Sequence, residues 1–275
     1  MLFMWEFIAL NSVWALVPVA LIAMAIRPVS YPELRSFAGR YSIEVTQETL
    51  PFVTRSVRRG RVGRLVGTAL GLSLYPVLYG VGISIPNASV VYAVIGYLFG
   101  AFVTALIPAS QGVGLRGASL VPRSATDYLP RIALISPIAA FAVSAIAIVV
   151  YELEPHRVLP SVSGSPAGPV ISGIAAAATL IAVKVVVARA QPVTTPGLVA
   201  LDDGLRTQAL HTIAGSGIAV ALIGTASSLF QMGGHASATW LTVVGIVLGI
   251  CALMGVVSAW GFRMSAWRVS RPIPG

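Results

Sequence analysis

The sequence predicts an all-α, polytopic membrane bundle of seven transmembrane helices. Three observations carry that reading. The 275-residue chain is 56% hydrophobic and only 10% charged, against roughly 25% charged in an average soluble domain, and its mean hydropathy is +0.87. Its apolar residues gather in seven runs of spanning or near-spanning length, and its arginines gather in alternate connections between them. A water-soluble globule cannot cover its surface with so few charges. Intrinsic disorder, coiled coil and collagen-like structure are excluded by the same composition.

A helix rises roughly 1.5 Å per residue, so about 20 apolar residues cross the roughly 30 Å hydrocarbon core of a bilayer. The first run, 7–26, has no basic stretch ahead of it and is followed by Arg27. It is too long for a cleavable leader and reads as a retained span. The second and third runs, 65–85 and 89–108, are separated by three residues and form a tight outer hairpin. The fourth, 132–151, leads into an outer connection, 152–169, rich in Pro, Ser and Gly and without periodicity. The fifth, 170–187, is the shortest, and Lys184 near its inner end can snorkel to the interface. The sixth and seventh, 212–231 and 240–260, form a second hairpin. The runs are continuously apolar rather than alternating, which selects helices over a barrel. Three spans, a linking span and three spans resemble a transporter plan of parallel repeats, although little beyond a longer inner loop before each hairpin aligns.

Charge sets the direction. Sixteen of the seventeen arginines fall in the segments after runs one, three, five and seven, and only Arg157 falls on the other side. Cytoplasmic loops carry the excess of basic residues, so the N-terminus is expected outside and the C-terminus in the cytoplasm. Losing one span would scatter arginines over both faces. Trp5, Tyr151 and Trp240 fall near the expected outer boundary, and Trp260 and Trp267 near the inner one, where indoles and phenols prefer to sit. The net charge of +9 then follows from topology and attraction to anionic lipid, and nucleic acid is not an expected partner. Arginine outnumbers lysine seventeen to one, with abundant Ala, Gly and Val, as GC-rich codons favour. The expected location is a bacterial plasma membrane.

The inner segment 27–64 is the largest extramembrane piece of this single membrane domain. Pro32-Glu33-Leu34 opens a short helix reaching about Tyr41. A second helix is expected near Pro51, a favoured first-turn residue, with Thr46 and Glu48 in its cap-rich approach. Leu50, Val53 and Val57 mark an apolar edge, and Arg55, Arg58, Arg59, Arg61 and Arg64 cover the rest. That pattern describes an amphipathic helix at the headgroups running into span two. The five arginines are candidates for docking an acidic partner or anionic lipid. Asp202-Asp203-Gly204-Leu205-Arg206, ahead of span six, is a smaller analogue.

Glycines recur four apart as Gly63, Gly67 and Gly71 in and just ahead of span two, Gly96 and Gly100 in span three, and Gly245 and Gly249 in span seven. Small residues at that spacing let backbones approach, and packing drives helix association in lipid. Gly112-Val113-Gly114-Leu115-Arg116-Gly117 matches a dinucleotide-binding pattern by letter, but a membrane span rather than a strand precedes it, so it reads as an inner loop. The chain has no paired carboxylates, no P-loop, no zincin or serine-hydrolase motif and no acid or histidine deep in a span. Cys251 is the single cysteine, which excludes an intrachain disulfide and a cysteine-based metal cluster. No catalytic, cofactor or metal site is expected, and no enzyme. The remaining polarity within the spans is phenolic: Tyr75, Pro76 and Tyr79 in span two, Tyr92 and Tyr97 in span three. A kink at Pro76 would free a carbonyl, and together these residues are candidates for lining a solute cavity.

The stretch Thr46-Gln-Glu-Thr-Leu-Pro-Phe-Val-Thr-Arg-Ser-Val-Arg-Arg-Gly-Arg, running into a glycine-rich span, resembles one in uncharacterised multi-pass membrane proteins of actinobacteria. Leu201-Asp-Asp-Gly-Leu-Arg-Thr-Gln-Ala-Leu-His is similar to a second stretch in the same group. The resemblance implies an actinobacterial plasma-membrane protein and no activity. The function expected from the whole pattern is that of a non-enzymatic membrane subunit of a transport or export assembly, with a cytoplasmic ATPase or another membrane chain docking on the Arg-rich loop. The alternatives are a self-contained facilitator of a neutral or amphipathic solute, and a structural or assembly factor.

Overall fold

The computed structural model of the chain describes residues 17–41, 43–80, 88–107, 116–117, 123–153, 167–192, 196–235, 243–244 and 246–247. These residues are predominantly α-helical. Helix α1 is described over 17–25. It is followed by α2 (Tyr31–Arg40), α3 (Leu50–Gly80), α4 (Ala88–Leu106), α5 (Arg131–Leu153), α6 (Ala167–Val187) and α7 (Pro196–His235). A two-residue antiparallel bridge joins β1 (Arg116–Gly117) to β2 (Gln191–Pro192). Among the described residues three helices are long and apolar enough to cross a membrane: Arg131–Val150, Ala167–Val187 and Leu198–Leu229. Tyr92–Leu106 forms a shorter apolar helix. The expected first span is described only from residue 17, and most of the seventh lies outside the described residues.

The chain divides into two compact units, Met1–Ser119 with Ala190–Gln208, and Leu120–Arg189 with Ala209–Gly275. The division does not fall in the Pro-, Ser- and Gly-rich connection 152–169. In the first unit, local chemistry starts each helix. The Glu33 carboxylate accepts the Ser30 backbone N–H at 2.9 Å, occupying a donor left open at the head of α2. Ahead of α3, Thr46 and Thr49 exchange bonds. The Thr46 N–H donates to Thr49 Oγ1 at 2.9 Å, and the Thr49 N–H donates to Thr46 Oγ1 at 3.2 Å. The Thr49 hydroxyl also donates to the Glu44 carbonyl at 2.7 Å. Thr46, expected in the cap-rich approach, thus exchanges bonds with Thr49.

From there α3 runs unbroken for 31 residues, roughly 46 Å at about 1.5 Å per residue. That is longer than a bilayer core, so its first half stands clear of the expected span. Its apolar edge meets protein rather than headgroups. Val53 is fully buried in a cluster with Leu34 and Ala38 of α2, Ile43, and Leu198, Leu201 and Leu205 of α7, with Val57 packed at its margin. Leu50 stays exposed. The segment 34–57 and the start of α7 therefore build one small cap. Gly204 admits the close approach within it, since a side chain there would come within 2.6 Å of Ile43 Cγ1. Arg206 is buried in the same stretch and holds Asp202 at 2.8 Å.

The second unit is organised by side-chain size. Along α5 the buried positions include Ala133, Pro137, Ala140, Ser144 and Ala147, while Ile132, Ile135, Ile146 and Val149 are exposed. Along α6, Gly168, Ser172, Ala175, Thr179, Ala182 and Val186 are buried, and Val170, Ile174 and Ile181 are exposed. Both buried stripes alternate steps of three and four residues, the spacing of a left-handed helix seam. Small groups inside and large aliphatic groups outside invert the pattern of a protein in water, and suit a surface solvated by acyl chains.

Candidate functional site

Helix α3 divides its five arginines between two duties. Arg61 Nη1 donates to the Arg27 carbonyl at 3.1 Å and to the Pro28 carbonyl at 3.4 Å, and Arg61 also pairs with Glu33. Arg59 Nη1 donates to the Ile107 carbonyl at 3.2 Å, just past the end of α4. Arg64 Nε returns to the Gly60 carbonyl of its own helix at 2.7 Å. These three are partly buried, whereas Arg55 and Arg58 are exposed. Of the five candidate docking residues, then, Arg59, Arg61 and Arg64 are engaged within the chain. The sequence offered no sign of that split, because the acceptors of Arg59 and Arg61 lie 28 to 48 positions away in the chain.

The local electrostatics follow this arrangement. The Ser30 N–H bond holds the Glu33 carboxyl below its usual range, helped by the Arg61 guanidinium. Burial draws Arg59 below the usual guanidinium value, and the neighbouring charge of Arg55 acts in the same direction. Burial pushes the Tyr41 phenol up, opposed by Arg40 and Arg64.

Behind the arginines, α3 meets α4 along a glycine seam. A Cβ built on Gly67 would lie 2.1 Å from the Gly96 carbonyl oxygen, and one on Gly96 would lie 2.1 Å from the Gly67 oxygen. Gly100 faces the Gly63 carbonyl, and a Cβ on Gly71 would meet the Tyr92 carbonyl at 2.1 Å. The five glycines of spans two and three are brought together backbone to backbone. Gly245 and Gly249 lie outside the described residues.

The phenolic candidates are not assembled into a described cavity. Tyr75, Pro76 and Tyr79 lie within α3, but their side chains fall outside the described set. Tyr92 and Tyr97 are half-buried on α4. Lys184 is exposed in the last turn of α6, where its charge complements the helix C-terminus. No group of three or more His, Cys, Asp or Glu with metal-binding geometry occurs among the described residues.

One polar feature of the second unit was not singled out in the sequence. Ser144 and Ser228 hydroxyls lie 2.6 Å apart, the Ser172 hydroxyl donates to the Ala221 carbonyl at 2.8 Å, and Thr225 donates to the Ala140 carbonyl at 2.8 Å. Gly224 faces Ser172, and Gly217 faces Thr179. The alternating three-and-four spacing of Gly, Ser, Ala and Thr in α6 was the available signal. It is masked in a search for glycine pairs because most members of the stripe are Ala, Ser or Thr. The arrangement bonds helix to helix. Comparison of the chain with protein-family models, with curated proteins and with solved structures finds no match.

Proposed function

We propose that the chain is a non-enzymatic integral subunit of a transport or export assembly in a bacterial plasma membrane. It crosses the bilayer seven times, with its N-terminus outside and its C-terminus in the cytoplasm. A negatively charged partner engages it through the inner face of α3. The observation that carries this reading is the separation of the arginines. Arg61 ties α3 to residues 27–33, Arg59 ties it to the end of α4 and Arg64 returns to its own helix, while Arg55 and Arg58 stand exposed. Two like charges one helical turn apart repel unless a counter-charge is supplied, and a packed cap presents them at a defined place. The large exposed aliphatic side chains of α5 and α6 support membrane residence, and the sixteen-to-one arginine asymmetry supports the orientation.

Purification of the intact protein from its native membrane tests the proposal. The expected result is a co-purifying partner that is lost from the Arg55→Glu, Arg58→Glu double variant at unchanged protein level. Unchanged partner recovery would refute docking through this face. Labelling that placed the N-terminus in the cytoplasm would refute the topology.

A further inference from the structure

We infer that Arg55 and Arg58, backed by Arg59, form a binding site for the phosphate headgroup of an anionic phospholipid in the inner leaflet. The inference deepens the proposed function and rests on its membrane orientation. It names what that arginine face holds.

Depth is the first argument. Arg61 reaches the Arg27 and Pro28 carbonyls, which follow the apolar run 7–26, and Arg59 reaches the Ile107 carbonyl at the close of the apolar run 89–108. The inner ends of the first and third expected spans are thereby brought beside residues 59–61 of α3. The headgroup layer is roughly 5–8 Å thick on each side of the hydrocarbon. Arg58 lies within this layer. Arg55 lies about one turn, or roughly 5 Å, further in, and its long side chain can reach back.

Direction is the second argument. At about 100° per residue, positions 55, 59, 66 and 70 fall within about 60° of one another, and 58 lies about 60° beyond 55 on the side away from 70. Leu70 is 63% exposed, a surface suited to acyl chains. The same helix face thus continues from lipid-facing leucine to Arg55 and Arg59, with the long side chain of Arg58 entering from the adjoining sector. A ligand whose apolar tail lies along Leu70 and whose head meets Arg55 and Arg58 is a phospholipid. A soluble acidic protein would have no use for the continuity between the two.

Charge is the third. Arg55 and Arg58 make no hydrogen bond or ion pair among the described residues, and Arg55 lies close enough to disfavour the charge on Arg59. A phosphodiester relieves that repulsion and accepts bidentate guanidinium bonds.

The test is lipid titration of the delipidated full-length protein in neutral detergent, followed by native mass spectrometry. Phosphatidylglycerol and phosphatidylcholine are compared. The wild type is expected to retain phosphatidylglycerol selectively, with binding weakened by salt. Arg55→Gln with Arg58→Gln should weaken it about thirtyfold, because each basic residue at the surface contributes about 1 kcal/mol and a tenfold change is about 1.4 kcal/mol. Arg55→Lys with Arg58→Lys should retain most of the selectivity. Equal affinity for the two lipids, or undiminished binding by a glutamine variant that unfolds at the wild-type temperature, would overturn the inference. If the glutamine variant fails to fold, salt-insensitive phosphatidylglycerol binding by the wild type would overturn it instead. Loss of a co-purified protein with unchanged lipid binding would also overturn it, while leaving the proposed function standing.

Discussion

Replacing Gly67 by alanine tests the helix seam most directly, because a control lies in the same helix. A Cβ at Gly67 would stand 2.1 Å from the Gly96 carbonyl oxygen and 3.0 Å from Gly100 Cα. Ordinary contact begins near 3.4 Å, so α3 and α4 must separate locally by about 1 Å or rotate. Both obstructing atoms are backbone, and no side chain can swing aside. A gap of about 0.5–1 Å forfeits a quarter to a half of the dispersion attraction between facing atoms, and overpacking of this kind costs about 1–3 kcal/mol. Alanine's advantage within a helix returns about 0.5–1 kcal/mol, leaving a net destabilisation of about 1 kcal/mol. At Gly60, also in α3, the nearest atom to a built Cβ is Arg64 Nη2 at 3.6 Å. Gly60→Ala therefore keeps the helix gain without the clash and should stabilise by about 0.5 kcal/mol. Denaturant unfolding in detergent micelles, followed by tryptophan fluorescence, reads the two changes. If both variants moved in the same direction by the same amount, the close backbone approach of α3 to α4 would be refuted.

Three further outcomes are expected. The Ser216 hydroxyl is buried without a hydrogen-bond partner among the described residues, and such a group costs about 1–3 kcal/mol, so Ser216→Ala should raise the unfolding midpoint; a drop would show that the hydroxyl is satisfied. Val53→Ala empties part of the fully buried cap cluster and should cost about 2 kcal/mol, read as faster proteolysis of the segment 27–64; unchanged cleavage would refute the packed cap. Glu33 has a lowered carboxyl value in the folded chain. Its contribution is therefore complete above the usual carboxylate value and is lost as pH falls through the lower, folded value. Stability measured from pH 6 to pH 3 should lose that component in Glu33→Gln, and an identical pH profile would refute the Ser30 and Arg61 contacts.

How far the sequence reaches depends on the range of each interaction. The start of α3 near Pro51 and the opening of α2 around Pro32-Glu33-Leu34 were legible, because their determinants lie within one helical turn; the bond from the Ser30 N–H to Glu33 was not singled out. The cap-rich approach at Thr46 and Glu48 was also legible, but the exchange between Thr46 and Thr49 was not, since spacing alone does not say which side chain turns inward. The four-residue glycine spacing marked both faces of the α3–α4 seam, and the pairing of Gly67 with Gly96 emerged only when the two helices were laid together.

Composition alone established a predominantly helical chain with spans apolar enough for a bilayer, because transfer from water to lipid is summed residue by residue and needs no knowledge of neighbours. Tertiary structure decided what meets what. Val53 finds Leu198, Leu201 and Leu205 across about 150 positions of sequence. Arg59 and Arg61 turn to distant carbonyls, while Arg55 and Arg58 remain outside. The physical reason is that a guanidinium carries the same charge whether it binds a carbonyl of its own chain or an anion from elsewhere. Only the placement of backbone from other helices determines which acceptor it reaches.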